Sequence, residues 1–181
     1  MSGTPYMASE DSALLRKALE GESGGTCLEI GAGNGGNLVD LSKRFSLVVG
    51  TDIVRPAMSD WREADANYVL ADGASCLRDS TFDLVAFNPP YLASDEFGDA
   101  AVEGGRGLEV PKAFLRGALR AVKRSGRVVF LLSDEADVED FRGECRKLGF
   151  RLEKLRSERH FFEELAVYQA RADGQRLRSP V

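Results

Sequence analysis

The chain is short of several things that would point to particular functions. It has no apolar run near the roughly 20 residues a membrane span needs, so no membrane association is expected. Residues 1–10 lack the basic-then-apolar pattern of a secretory signal, and a cytoplasmic location is the expectation. Only three of 181 residues are cysteine: Cys27, Cys76 and Cys145. An odd number at wide spacing suits neither a disulfide framework nor a zinc site, so no metal ligands are assigned. Cys27 sits in an apolar run and reads as a small core residue. The one histidine, His160, has no partners at triad spacing and is assigned no role. Excess basic charge is also missing. The net charge is −5, whereas a protein that clamps duplex nucleic acid carries a basic surface. Arg116, Arg120, Lys123, Arg124 and Arg127 cluster, and they read as a solvated helix face.

What is present is a globular composition, 43% hydrophobic and 29% charged. The length builds one full core, so a single domain over residues 1–181 is expected, with about 1–8 and 172–181 loose. Leu14, Leu15, Ala18 and Leu19 have helical spacing, and Asp11 or Ser12 suits the N-cap of that helix. Thr26–Ile30 reads as a first strand running into Gly31-Ala32-Gly33-Asn34-Gly35-Gly36, followed by a helix over 37–45. Leu47–Asp52 and Asn67–Asp72 read as strands that each end in an acid, with a helix over 56–66 between them. Phe82–Phe87 is a fourth strand. A glycine-rich stretch over 93–108 reads as a long functional loop. A helix over 110–123 should end near Ser125-Gly126, before a strand over 127–132. Another helix spans 134–148, and Phe150–Leu155 with Leu165–Ala170 form a hairpin through 156–163. Seven strands alternating with helices predict an α/β fold: a doubly wound, mostly parallel sheet with an antiparallel C-terminal hairpin.

The stretch that organises the chain is Phe87-Asn88-Pro89-Pro90-Tyr91. Two prolines cannot continue a sheet, because they lack N–H donors and have a fixed φ. Asn88 is therefore held where the strand stops, at the edge where open α/β sheets bind ligands. Upstream, Gly31, Gly33 and Gly36 satisfy G-x-G-x-x-G, a weak signal alone. Asp52 suits a ribose-binding carboxylate, which NAD and S-adenosylmethionine both require. To this point a dehydrogenase and a methyltransferase remain open. Three features favour the methyltransferase. Glu29, two residues before the first glycine, suits a ligand with an ammonium group better than a pyrophosphate. Asp72 could accept from an adenine amine. Asn88-Pro89-Pro90-Tyr91 has no evident use in a dehydrogenase.

An amide nitrogen is a poor nucleophile because its lone pair is conjugated, as the rotation barrier of about 18–20 kcal/mol shows. Two acceptors aimed at its two N–H bonds favour release of that lone pair. The Asn88 side-chain oxygen and the Pro89 carbonyl can be those acceptors, a gain in positioning and electrostatics. Tyr91 can cover a planar substrate group beside a positive charge.

With these residues the sequence resembles class I S-adenosylmethionine-dependent methyltransferases that carry Asn-Pro-Pro-Tyr, and their Rossmann-like sheet. More closely it resembles HemK-like protein-glutamine methyltransferases of the eukaryotic and archaeal type. The resemblance rests on Glu10-Asp11-Ser12, Leu28-Glu29-Ile30-Gly31-Ala32-Gly33, Thr51-Asp52-Ile53, Phe87-Asn88-Pro89-Pro90-Tyr91, Gly104-Gly105-Arg106-Gly107-Leu108-Glu109 and Glu164-Leu165. Asn34-Gly35-Gly36 departs from the Ser-Gly pair more usual there. The resemblance implies S-adenosylmethionine as cofactor, bound by Gly31, Gly33 and Asp52, with Asp72 at the adenine, Asp11 and Ser12 near the amino-acid end, and Glu29 and Asn88 beside it. It implies a substrate held by Asn88, Pro89, Pro90 and Tyr91: the glutamine of the Gly-Gly-Gln loop in a class I release factor. The alternative is an exocyclic base amine of RNA or DNA, adenine N6 or guanine N2. It also implies a small zinc-binding activator subunit that adds a strand beside Asn67–Leu70, if that strand lies at the sheet edge.

Overall fold

The apolar run Phe82–Phe87 becomes β4, a strand near the middle of a seven-stranded sheet in the computed structural model. The structure describes residues 10–54, 64–89, 109–133, 136–159 and 164–174. In chain order the other elements are α1 (Glu10–Leu19), β1 (Gly24–Ile30), α2 (Gly36–Ser42), β2 (Phe45–Asp52), β3 (Asn67–Leu70), α3 (Glu109–Ala121), β5 (Val122–Ser133), α4 (Val138–Lys147), β6 (Phe150–Arg159) and β7 (Glu164–Ala172). The strand order is β3-β2-β1-β4-β5-β7-β6. The first five strands are parallel, and β7 runs antiparallel to both β5 and β6. This is the expected doubly wound, Rossmann-like sheet with its antiparallel end. The chain leaves β1 to one side for β2 and returns on the other side as β4. The crevice for a ligand lies outside the C-terminal strand ends at that reversal.

Alternation along β4 divides the core between the two sheet faces. Val85 and Phe87 join Leu28, Ile30, Leu115, Phe130 and Phe141 under α3 and α4. Leu84 and Ala86 join Leu14, Leu15, Cys27, Leu38 and Leu41 under α1 and α2. Phe87 stacks on Phe130 with ring centroids 4.8 Å apart and meets Phe114 edge-on at 6.0 Å. The residue before Asn88 is thereby fixed by rings from β5 and α3.

Several expected boundaries move, each for a local reason. The helix expected over 37–45 stops at Ser42, and Phe45 begins β2 with its ring buried. Arg44 ends that turn by donating to the carbonyl oxygens of Leu19 at 2.7 Å and Glu22 at 3.2 Å. Asp11 and Ser12 fall inside α1, which starts at Glu10, so neither is its N-cap. Asp137 caps α4, accepting from the Glu139 N–H at 3.0 Å, so that helix begins after the expected 134.

Ser125-Gly126 does not end a helix. It lies within β5, which starts directly after α3. The β4–β5 register shifts between Phe82 and Leu84, opposite Val122 and Arg127. At Gly126 a Cβ would stand 2.6 Å from the Asp83 carbonyl oxygen, so only glycine allows this approach. The hairpin strands are longer than expected, with Arg156–Arg159 paired to Val167–Glu164. The helix expected over 56–66 lies largely outside the described residues, as do His160 and the loop over 93–108.

The basic cluster is not a helix face. Arg116 and Arg120 are on α3, whereas Lys123, Arg124 and Arg127 are on β5. Each is engaged internally. Arg116 donates to Glu144 at 2.8 Å, Lys123 to Asp83 at 2.7 Å, and Arg124 lies over the Phe150 ring at 5.2 Å. Arg120 pairs with Asp79 and Arg127 with Glu22.

Candidate active site

The first site element is the turn after β1. Gly31 and Gly33 have φ of +69° and +52°, values that L side chains rarely adopt. The turn is pinned to β2: the N–H groups of Gly31 and Ala32 both donate to the Thr51 carbonyl oxygen, at 2.8 and 3.0 Å. Asp52 completes the attachment. Its carboxylate accepts from the Gly33 N–H and the Val54 N–H, both at 2.9 Å. Asp52 therefore shapes the glycine turn, and each of its oxygens keeps a lone pair for a further donor.

Glu29 is the most unusual side chain here. It is 5% exposed on β1, one residue before the strand ends. Its Oε1 accepts from Asn37 Nδ2 at 2.7 Å, and its buried Oε2 has no hydrogen-bond partner among the described residues. Burial pushes the carboxyl up to about 7 from an ordinary 4.5, against the Asn37 hydrogen bond and the Arg16 charge. A buried, half-satisfied carboxylate is costly on its own, so the position calls for a donor or a cation.

Asn88 follows β4 and is partly buried, and its Oδ1 is a second buried acceptor without a partner among the described residues. Pro89 is buried behind it. Glu29 stands opposite Ala86 in the β1–β4 register. Asn88 directly follows Phe87, the last residue of β4, so it stands just past the end of the strand that neighbours β1. Asp72 lies two residues beyond the end of β3 rather than at its last position. Its exposed carboxylate makes no hydrogen bond among the described residues. The strand ends thus bring Glu29, Gly31, Gly33, Asp52, Asp72, Asn88 and Pro89 to one sheet edge. Pro90 and Tyr91 lie outside the described residues, and of Asp11 and Ser12 only the backbone is described.

Sequence reasoning missed three contributors. Asn37 holds Glu29. It shares a helix side with the buried Leu41 four residues on, and a polar residue there signals a polar partner. Arg16 donates to Asn37 Oδ1 at 3.3 Å. Phe114 of α3 backs the glycine turn: a Cβ at Gly31 would meet its ring at 3.2 Å, and one at Gly73 at 4.0 Å. No spacing in the chain announces that contact.

Comparison with known proteins bears on this edge. Residues 28–93 match the methyltransferase domain family. A Methanocaldococcus jannaschii protein to which protein N5-glutamine methyltransferase activity is ascribed is 32% identical over 178 residues, covering 91% of this chain and 90% of its own. The release factor glutamine methyltransferase of Rhodopirellula baltica is 24% identical over 153 residues, 72% of this chain and 52% of its own. The E. cuniculi Mtq2–Trm112 complex, described as responsible for methylating the translation termination factor eRF1, has a chain of the same fold. It superposes with a TM-score of 0.72 at 25% identity, covering 93% of this chain and 98% of its own.

Proposed function

The chain belongs to the S-adenosylmethionine-dependent protein N5-glutamine methyltransferases, and from that premise we propose that its acceptor is the glutamine of the Gly-Gly-Gln loop in a class I translation release factor. The observation that carries the reading is the unpartnered Asn88 Oδ1 at the end of β4. A buried acceptor with no internal donor suits the N–H group of a planar amide.

Three observations support the fit of the cofactor. Glu29 Oε2 is a buried acid oxygen without a donor, which suits an ammonium group. Among the described residues no atom lies within 4 Å of a Cβ built at Gly33, on the ligand side of the glycine turn. Asp72 leaves an exposed carboxylate at the next strand end but one. In this reading Gly31, Gly33 and Asp52 hold the ribose side, Asp72 the adenine amine and Glu29 the ammonium. Asp11 and Ser12, in the first turn of α1, approach the amino-acid end.

Bound S-adenosylmethionine supplies a methyl group on a positively charged sulfur. The chain's own part is to present the acceptor nitrogen. Asn88 Oδ1 and the Pro89 carbonyl oxygen accept from the two amide N–H bonds, which holds the nitrogen in line and favours release of its lone pair. Pro90 and Tyr91, outside the described residues, are assigned to the same substrate, with the Tyr91 ring suited to cover a planar amide. The proton on nitrogen becomes acidic only as the new bond forms, so no general base is needed before attack.

A partner belongs to the same reading. β3 is the outermost strand, with Leu70 62% exposed, and Ile53 and Val54 just past β2 are 70% and 65% exposed. An apolar edge that no other strand of the described residues pairs with suits a small zinc-binding activator that adds a strand. The substrate acts where ribosomes do, so the reading includes a cytoplasmic location. Among the described residues no helix is long and apolar enough to cross a membrane.

The test is to incubate the enzyme and its activator with cell extract and radiolabelled S-adenosylmethionine. Label should enter protease-sensitive material. Nuclease-sensitive label would instead mark an RNA or DNA amino-methyltransferase.

A further inference from the structure

Three elements converge on the one buried carboxylate of the site. Arg16 projects from α1, Asn37 from the first turn of α2, and Glu29 from β1. Arg16 Nε donates to Asn37 Oδ1 at 3.3 Å, and Asn37 Nδ2 donates to Glu29 Oε1 at 2.7 Å. The Asn37 amide is oriented by its partners: its oxygen needs a donor, which the Arg16 guanidinium can only be, and its nitrogen an acceptor, which the Glu29 carboxylate supplies. The relay leaves one atom of the buried group over, Glu29 Oε2.

We propose that Asn37 and Arg16 are positioning residues: they hold Glu29 through Oε1, so that Oε2 is presented, charged, to the ammonium group of S-adenosylmethionine. The proposal rests on the assignment of Glu29 to that ammonium, and not on the identity of the methyl acceptor.

Asn37 fixes the carboxylate plane with a short hydrogen bond that only the relay supplies. Both members also favour the charged form of Glu29, Asn37 by donating to it and Arg16 by its positive charge. Among the described residues the strand neighbours offer no substitute. The register neighbours of Glu29 are Gly50 on β2 and Ala86 on β4, neither of them titratable. Cys27, two residues back on β1, is buried, and burial together with the Glu29 charge keeps it a thiol. Arg16 is exposed, so its charge can be removed without opening the core.

The signs follow from two ionisations. An ammonium ligand binds the charged carboxylate, so wild-type affinity should fall about tenfold per pH unit below about pH 7, and fall again above about pH 8 as the ligand's own α-amino group loses its proton. Removing a group that favours the charged form of Glu29 moves the lower midpoint to higher pH.

The experiment is calorimetric titration of the full chain with S-adenosylmethionine between about pH 5.5 and 8.5. The proteins are wild type, Asn37→Ala, Arg16→Met, Arg16→Lys and Glu29→Gln, each checked for folding by circular dichroism. At pH 7, Asn37→Ala should bind about tenfold more weakly, with its pH midpoint displaced upward by about one unit. Arg16→Met should move the same way by less, and Arg16→Lys should recover most of the difference. The loss should fall on KM for the cofactor, with kcat at saturation within about twofold. Glu29→Gln should bind weakly, with no fall in affinity below about pH 7. If Glu29→Gln is weak while Asn37→Ala and Arg16→Met titrate like wild type, the relay is overturned. A loss in Asn37→Ala that is equal at every pH would reduce Asn37 to a structural role and overturn it too. If Glu29→Gln binds as wild type does, the assignment of Glu29 itself is overturned.

Discussion

Glu29 on β1 and Asn88 just past β4 lie at the ends of adjacent strands, and each carries one buried oxygen without a hydrogen-bond partner among the described residues: Glu29 Oε2 and Asn88 Oδ1. Buried oxygens are rarely left unsatisfied, so each calls for a donor. One is an acid and the other an amide, which matches a cationic cofactor end and a neutral N–H donor.

Asn88→Ala should therefore separate binding from turnover. Removing one preorganised electrostatic contact lowers kcat by roughly 10²–10³-fold in comparable sites. S-adenosylmethionine affinity should change by less than about fivefold, since the cofactor keeps Glu29, Asp52 and Asp72. Single-turnover methyl transfer beside calorimetric titration checks this. Full activity in Asn88→Ala would remove the amide clamp from the account.

The buried acid should also lower the stability of the cofactor-free protein. The folded state raises the Glu29 carboxyl from 4.5 to about 7, so it disfavours the charged form. The resulting destabilisation is absent below pH 4.5, grows through the window from 4.5 to 7, and is complete above it. Glu29→Gln should then stabilise the free protein by about 3 kcal/mol at pH 8, at roughly 1.4 kcal/mol per pKa unit, and by little near pH 4.5. Urea unfolding at the two pH values measures it, and an equal gain at both would contradict the assignment.

Gly126 gives a prediction far from the chemistry. A Cβ there would stand 2.6 Å from the Asp83 carbonyl oxygen and 3.0 Å from that of Phe82. Gly126→Ala must push β5 off β4 and should cost about 1–3 kcal/mol, read by the same unfolding assay. Unchanged stability would mean the bulge is looser than described.

At the far edge, Leu70 is 62% exposed, so Leu70→Lys should alter the stability of the chain by about 0.5 kcal/mol or less. The same change puts a charge on the strand edge proposed to receive the activator, and complex formation should weaken at least tenfold. Sedimentation of the mixed subunits checks this. A complex of wild-type affinity would move the activator to another surface.

These residues also mark what the sequence makes legible. Phe82–Phe87 was readable because an apolar run bounded by prolines has one natural place, the interior of a parallel sheet. Glu29, Asp52 and Asn88 were readable because each lies at or beside a strand end, where a polar residue in an apolar setting needs a reason. Gly126 was misread because one residue type serves both helix ends and bulges. The position of the Asp83 carbonyl oxygen decides between them. Lys123 and Asp83 are 40 residues apart in the chain, so the basic cluster could not reveal its acids. Asn37 was missed because its partner becomes a neighbour only when the glycine turn folds α2 back onto β1.

The central claim is a methyl group on one amide nitrogen. The most direct measurement is mass spectrometry of a purified class I release factor after reaction with the enzyme, the proposed activator and S-adenosylmethionine. One methyl group on the glutamine of the Gly-Gly-Gln loop, absent when that glutamine is changed to alanine, is the predicted result. A methyl group that persists on the Gln→Ala factor, or a factor left unmodified while RNA or DNA in the same mixture is methylated, would contradict the account.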